Sequence, residues 1–436
     1  MNTIDTLLHA RWLIPVDGEQ RCLENHSIAI DGGRIADILP REQAESRYQA
    51  RASHDFAQHA LIPGLINSHT HAAMSLFRGL ADDLALMDWL ENHIWPAEAR
   101  HVNEAFVQTG TELAIAEMLR SGTTCFNDMY FFPDISAHVA AEAGMRASIG
   151  LILIDFPTVW ANNSEEYINK GLAVFDHYKG HELIRTAFAP HAPYTVSDAP
   201  LKQVRTLADE LELGVHIHLH ETAFEVSEAE KNTGRRPLAR LAELGLLSPS
   251  LQAVHMTQLN DDEITLLAES GSHVIHCPKS NMKLASGICP VNALMKAGVN
   301  VALGTDSSAS NNSLDMFSEM NSAALLAKVS NGDATALSAE QALQMATING
   351  ARALGMEDIT GSLEVGKFAD IVAVNFDTIE TQPVYDPLSH LVYSCSREQV
   401  TDVWIAGKPR LSKRVLNGID ENRLIQECQK ITDDIS

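Results

Sequence analysis

Cysteine is sparse in this chain, with six in 436 residues. Cys22, Cys125, Cys277, Cys289, Cys395 and Cys428 are scattered, and no two form Cys-x-x-Cys. That excludes a disulfide framework or a thiolate zinc knuckle as the organising feature, and a reducing, cytoplasmic compartment is expected. Long apolar runs are missing too: nothing approaches the roughly 18 residues of a membrane span. The start, Met1-Asn2-Thr3-Ile4-Asp5, lacks the basic stretch and apolar core of an export signal. Positive charge is short, with 32 Lys and Arg against 57 Asp and Glu and a net charge of −25. With no basic stripe for phosphates, nucleic acid is not an expected partner. No Gly-x-Gly-x-x-Gly occurs, which removes the main signature of a doubly wound dinucleotide fold. No internal repeat or low-complexity segment is present.

Histidine, by contrast, is abundant, at nineteen residues. With 45% hydrophobic and 20% charged residues, the composition is that of an ordinary soluble globular protein. The length accommodates a barrel-sized domain of about 250 residues plus a smaller one. Residues 1 to 58 read as β-hairpin material: 7–16 and 27–30 are strand candidates, Asp31-Gly32-Gly33 is a hairpin turn, and 34–40 returns. The far end matches it, because 361–374 reads as turn, strand, turn, strand and 400–411 as a hairpin. The two ends are expected to pack together as one small β-sandwich domain.

Between them, short apolar runs alternate with helical stretches. Strand candidates are the run ending at His71, then 123–128, 147–154, 183–189, 214–220, 251–255, 273–277 and 299–305. Eight strand–helix units predict an α/β fold, a (β/α)₈ TIM-type barrel over 59–360, flanked by the composite β-domain at 1–58 and 361–436. Ala60-Leu61-Ile62 is read as the lead into the first barrel strand.

Active sites in such barrels lie at the C-terminal strand ends. In Pro63-Gly64-Leu65-Ile66-Asn67-Ser68-His69-Thr70-His71, the two-residue period puts both histidines on one face. Imidazole suits zinc, iron and nickel alike. His191 follows the fourth strand, and His216, His218 and His220 share a face of the fifth. His255 ends the sixth, His276 sits in the seventh, and Asp306 ends the eighth. A lone histidine there is more often a satisfied polar group than a ligand; together they point to a metal site. Spacing does not choose among the three histidines of the fifth strand. Glu221 has the opposite parity, and a turn at the strand end would swing it inward.

This pattern resembles the amidohydrolase superfamily. The segments 63–71, His218-Leu219-His220-Glu221, 280–287 and Gly304-Thr305-Asp306 resemble its branch of 5′-methylthioadenosine/S-adenosylhomocysteine deaminases and their chlorohydrolase relatives. The resemblance implies one divalent metal held by His69, His71, His218 and Asp306, zinc first, with Fe²⁺ or Ni²⁺ as alternatives. His218 is selected because the family's His-x-x-Glu falls on His218 and Glu221. The resemblance makes Glu221, His255 and Asp306 catalytic: Asp306 accepts the water proton, Glu221 delivers a proton to purine N1, and His255 orients the nucleophile. It makes Glu98 the partner of the ribose diol and His191 a contact of the nucleoside. Glu221, Asp306 and Trp89 join them as substrate-binding residues. Phe77, Leu86, Trp89 and Phe156 are candidates for a thioether pocket. The implied reaction converts a small-molecule purine nucleoside to its inosine analogue and ammonia, and a homodimer or higher homo-oligomer is expected. Residues 156–179 contain no Arg, where relatives that accept S-adenosylhomocysteine can hold its carboxylate, so the reading leans to 5′-methylthioadenosine. Competing readings are a guanine, 8-oxoguanine or triazine hydrolase on the same scaffold, or a scaffold protein with a vestigial barrel. Retention of all four candidate ligands and Glu221 argues against the last.

Overall fold

The computed structural model describes residues 1–19 and 21–435. Both chain ends build one eight-stranded mixed sheet. Its N-terminal strands are β1 (Asn2–Leu13), β2 (Leu23–Asp31), β3 (Arg34–Pro40) and β4 (Tyr48–Pro63). A second, parallel sheet follows, with β5 (Leu65–Thr70), β6 (Thr123–Asp128), β7 (Arg146–Leu153), β8 (Ile184–Pro190), β9 (Val215–Leu219), β10 (Leu251–His255), β11 (His273–His276) and β12 (Val301–Leu303). The chain then returns to the first sheet as β13 (Ile371–Asn375), β14 (Val400–Ile405), β15 (Lys408–Ser412) and β16 (Val415–Leu416).

In the end sheet the order is β16-β15-β14-β13-β4-β1-β2-β3. The ends join where β4 pairs antiparallel with β13, Leu61 opposite Ala373. Leu8, Leu13, Ile28, Ile30, Phe56, Ile371 and Trp404 form one buried cluster there, so strands from both ends share a core. Gly32 and Gly33 have φ of +56° and +79°, the pair of left-handed residues that a tight β2–β3 hairpin requires.

Two local readings change. Ala60-Leu61-Ile62 does not lead into the barrel: those residues end β4, and the barrel strand starts at Leu65 after Gly64. A continuous apolar run looks the same whether one strand crosses it or two meet in it. In 361–374 only β13 is a strand; Phe368 makes just an isolated bridge to Arg34.

The parallel sheet runs β5 to β12 in sequence order, as eight right-handed strand–helix units demand. Its helices turn one apolar stripe inward: in Asp198–Leu211, Pro200, Leu201, Val204 and Ala208 are the buried positions, at the helical period. Asn260 and Glu263 cap the helix Asp261–Ser270 reciprocally, satisfying amides that would otherwise be orphaned. The β12–β5 seam is closed by Asn67, whose Oδ1 accepts from the Thr305 amide (2.9 Å) and whose Nδ2 donates to Thr305 Oγ1 (2.7 Å). The Asp306 amide donates to the His69 carbonyl (3.0 Å). A Cβ on Gly304 would lie 2.8 Å from the His69 amide nitrogen, so only glycine allows this approach.

Barrel and end sheet are tied by a fully buried ion pair. Arg146 at the start of β7 donates from Nε and Nη2 to Asp370 (2.8 and 3.2 Å). Asp370 also accepts from Thr360 Oγ1 (2.8 Å) and the Ala406 amide (2.7 Å). Among the described residues, no helix is long and apolar enough to cross a membrane.

Candidate active site

The C-terminal strand ends meet as the barrel rule requires. His69 Nε2 and His71 Nε2 each lie 3.3 Å from Asp306 Oδ1. His218 Nε2 lies 3.2 Å from both histidine nitrogens. Of the three fifth-strand histidines only His218 reaches this group. His216 Nε2 sits 2.9 Å from His69 Nδ1, while His220 accepts from the Leu238 amide (3.0 Å) and faces the Gln258 carbonyl (3.2 Å). His276 stands outside the group, and its buried Nδ1 has no partner among the described residues.

The backs of the rings decide what the fronts can do. His71 Nδ1 donates to the Met129 carbonyl (2.5 Å) and His218 Nδ1 to the His191 carbonyl (2.8 Å). A neutral imidazole that donates through Nδ1 has a bare lone pair at Nε2. Bare nitrogens beside a carboxylate oxygen have no proton to share, and a cation is the natural partner. Ligand bonds of about 2.0–2.1 Å put neighbouring donors roughly 3 Å apart, and the four contacts of 3.2–3.3 Å among these side chains are of that size, so the residues fit a divalent metal. Burial holds His69 down at about 4 and His218 well below its ordinary value, keeping both neutral, as ligation needs. In His71 burial also lowers the pKa, but the Asp306 carboxylate outweighs it and the net direction is up.

Hydroxyls fix the carboxylate. Ser280 Oγ and Ser310 Oγ both donate to Asp306 Oδ2 (2.6 and 2.9 Å), leaving Oδ1 toward the histidines. Asp306 itself has φ +62°, and His220 and His255 have +52° and +75°. Such backbone costs about 1–3 kcal/mol per residue and clusters at functional sites. At His220 the left-handed turn does what strand parity could not, swinging Glu221 inward to within 3.8 Å (Oε2) of His255 Nε2. Glu225 holds this turn by accepting from the His220 and Glu221 amides (3.1 and 2.7 Å).

His255 lies close by, offering a nitrogen within 4.8 Å of those of His69 and His218. Its Nδ1 donates to Asn281 Oδ1 (2.9 Å), which leaves Nε2 as an acceptor. Burial raises the Glu221 carboxyl above its usual range, the nearby His255 opposing.

Above this cluster opens a cavity of ≈ 490 Å³. Glu98 lies on its wall, on the helix Trp95–His101, and accepts from Tyr130 Oη (2.8 Å). Loss of solvent pushes Glu98 up to about 7, with Tyr130 pulling the other way. Trp89, Leu86, Phe156 and His191 also line the cavity. Phe77 does not: it is buried against Phe106, ring centres 4.8 Å apart. An aromatic next to the first strand was equally suited to wall or core, and the helix at Glu104–Arg120 covered it. His191 Nδ1 contacts Thr195 Oγ1 (3.0 Å), and burial lowers it to about 3.

Sequence reasoning gave no task to His216, Ser310, Tyr130 or Asn67. Ser280 and Asn281 lay within a quoted segment with no role attached. Apart from Ser310, which is four residues from Asp306, each acts across the barrel on a residue far away in the chain, so no local spacing could reveal it.

The amidohydrolase family model matches residues 60–410. A relative from Teredinibacter turnerae, named 5-methylthioadenosine/S-adenosylhomocysteine deaminase, is 52% identical over 97% of this chain and 96% of its own. A zinc-bound structure described as an adenosine deaminase from Xanthomonas campestris superposes with TM-score 0.99 at 51% identity, covering 100% of this chain and 99% of that one. The zinc complex of an atrazine chlorohydrolase from Arthrobacter aurescens shares the fold, with TM-score 0.91 over 98% and 100% of the two chains at 22% identity. With a family model spanning most of its length and a relative at 52% identity, this chain belongs to the amidohydrolase family.

Proposed function

We propose that this chain is a metal-dependent aminohydrolase that converts 5′-methylthioadenosine, and S-adenosylhomocysteine, to the inosine analogue and ammonia. The observation that carries it is the set of four donor atoms joined by four contacts of 3.2–3.3 Å beside an inward-turned Glu221. The names of the Teredinibacter and Xanthomonas relatives support an adenine nucleoside over a free base or a triazine. His69, His71, His218 and Asp306 would hold a divalent ion, which would supply hydroxide near neutrality by lowering the pKa of water to about 7. Three imidazoles and one carboxylate suit zinc, and metal analysis distinguishes it from iron or nickel.

This chain's own groups then move the protons. Asp306 Oδ1 takes the proton of the attacking water. The bare Nε2 of His255 accepts a hydrogen bond from the nucleophile and points it at purine C6. Glu221, whose carboxyl burial raises above its usual range, donates to N1, so that C6 becomes electrophilic as the oxygen adds. Proton return to the exocyclic nitrogen releases ammonia: water and aminopurine give oxopurine and ammonia. Glu98 accepts from the two ribose hydroxyls, His191 contacts the nucleoside, and Trp89, Leu86 and Phe156 face the thioether. Action in a reducing cytoplasm accords with six free cysteines. Assembly as a homodimer or larger homo-oligomer is part of the proposal and is read by sedimentation.

The test is a panel of 5′-methylthioadenosine, S-adenosylhomocysteine, adenosine, guanine and a triazine. Loss of adenine absorbance with one ammonia per nucleoside is expected for the first, and turnover of guanine or triazine alone would overturn the reading. Glu98→Ala separates the alternatives further. Loss of a charge-assisted contact to the diol lowers kcat/KM for the nucleoside roughly 10- to 100-fold, or about 1.5–3 kcal/mol; a free base has no diol and would be unaffected. Because Glu98 sits at about 7, its carboxylate form grows as pH rises from 6 to 8. KM for the nucleoside therefore falls across that window, and Glu98→Gln flattens the dependence.

A further inference from the structure

Beside the active-site cavity lies a second hollow of ≈ 530 Å³. The two share Phe156, Tyr194 and Thr195, so the groove begins where the apolar wall of the nucleoside cavity ends. Unlike that wall, the groove carries both signs of charge: Asp155 and Asp198, Arg235 and Arg240 all line it.

These four are not equally committed. Arg240 is spent on structure, donating to Asp198 Oδ1 (2.7 Å), to the Val196 carbonyl (2.9 Å) and to the Pro193 carbonyl. It contributes a fixed positive field. Asp155 Oδ2 accepts from the Ser197 amide (2.8 Å), and among the described residues its Oδ1 has no partner. Arg235 is held only by an ion pair to Glu243, and both side chains are about half exposed (48% and 56%). Exposed pairs of this kind hold weakly, so Arg235 can exchange its partner for a carboxylate in the groove, where guanidinium geometry suits bidentate capture.

We propose that this groove is the subsite for the α-amino-acid end of S-adenosylhomocysteine, Arg235 receiving the carboxylate and Asp155 the ammonium. The inference rests on the nucleoside reading above and adds the residues that set tail specificity. A zwitterion at the end of an apolar thioether needs an apolar passage and then paired opposite charges near water, because burying both charges dry would cost more than pairing returns. Phe156 and Tyr194 are the passage, each partly exposed, at 45% and 47%. In this assignment the 5′-methylthio group stays within the apolar cavity and does not enter the groove. Arginine missing from 156–179 is thus supplied from the segment after the fifth barrel strand.

The experiment measures kcat/KM in wild type and Arg235→Ala for three nucleosides: 5′-methylthioadenosine, S-adenosylhomocysteine, and its decarboxylated analogue 5′-(3-aminopropylthio)-5′-deoxyadenosine. The ratio for S-adenosylhomocysteine over 5′-methylthioadenosine is expected to fall at least tenfold in the variant, chiefly through KM, while the ratio for the decarboxylated analogue stays within twofold. A ratio for S-adenosylhomocysteine that also stays within twofold overturns the subsite. So does wild-type enzyme that deaminates 5′-methylthioadenosine but not S-adenosylhomocysteine, which leaves the 5′-methylthioadenosine deaminase reading standing and removes only its S-adenosylhomocysteine part. No turnover of any of the three overturns the function and the subsite together.

Discussion

Glu221→Gln is expected to lower kcat for 5′-methylthioadenosine by roughly 10²–10⁴, the usual worth of a positioned proton donor. The amide is close to isosteric, so the turn held by Glu225 survives, but Gln carries no transferable proton for N1. Metal content should not change, because neither cluster of candidate ligands, His69-His218-His255 or His69-His71-Asp306, includes Glu221. The pH profile carries an independent signature. Burial raises the Glu221 pKa, so the proton-bearing form persists to higher pH than for a solvated glutamate. It is lost as pH climbs through the folded value. Wild-type kcat should therefore decline on the alkaline side, and the residual activity of Glu221→Gln should lack that limb. A variant within threefold of wild type would remove Glu221 from the proton path.

Arg146→Met is expected to give the largest loss of stability, about 3–5 kcal/mol, because it strips the cation from a carboxylate that stays buried. Both partners are sealed from water, with side-chain exposures of 1% and 1%. The pair joins the base of β7 to the segment leading into β13, so the effect should appear as a lower denaturant midpoint with the end sheet loosened. Arg120→Met supplies the contrast. Its partner Glu421 lies 2.9 Å away, but the two side chains are 41% and 39% exposed, and such pairs contribute 1 kcal/mol or less. Equal losses in the two variants would contradict the role given to the Arg146–Asp370 pair.

The barrel was legible in the chain because strand and helix periods alternate eight times, and the end sheet because both termini carry hairpin chemistry. His69 and His71 could be placed on one face by parity alone. The fifth strand could not be resolved that way: His216, His218 and His220 share a face, and only the closure of the barrel puts His218 at the cluster while His216 backs His69. Glu221 shows the same limit. Its strand parity was wrong for the site, and a left-handed φ at His220, invisible in spacing, turned it in. Asn67, Ser280, Ser310 and Asn281 act on partners 26 to 238 positions away, except that Ser310 is four from Asp306. Asparagine and serine serve too many purposes to announce such a task. The β4–β5 break was missed because Gly64 interrupts a run that is apolar on both sides.

The central claim is that His69, His71, His218 and Asp306 grip one cation on which deamination of an adenine nucleoside depends. The most direct test strips the purified protein with a chelator, titrates zinc back, and follows bound metal and ammonia release from 5′-methylthioadenosine on the same samples. Activity should be absent in the stripped protein and should rise in proportion to bound zinc, reaching its plateau at about one equivalent per chain. Ammonia release that survives full stripping, or a protein carrying one equivalent that leaves 5′-methylthioadenosine untouched, would contradict the account.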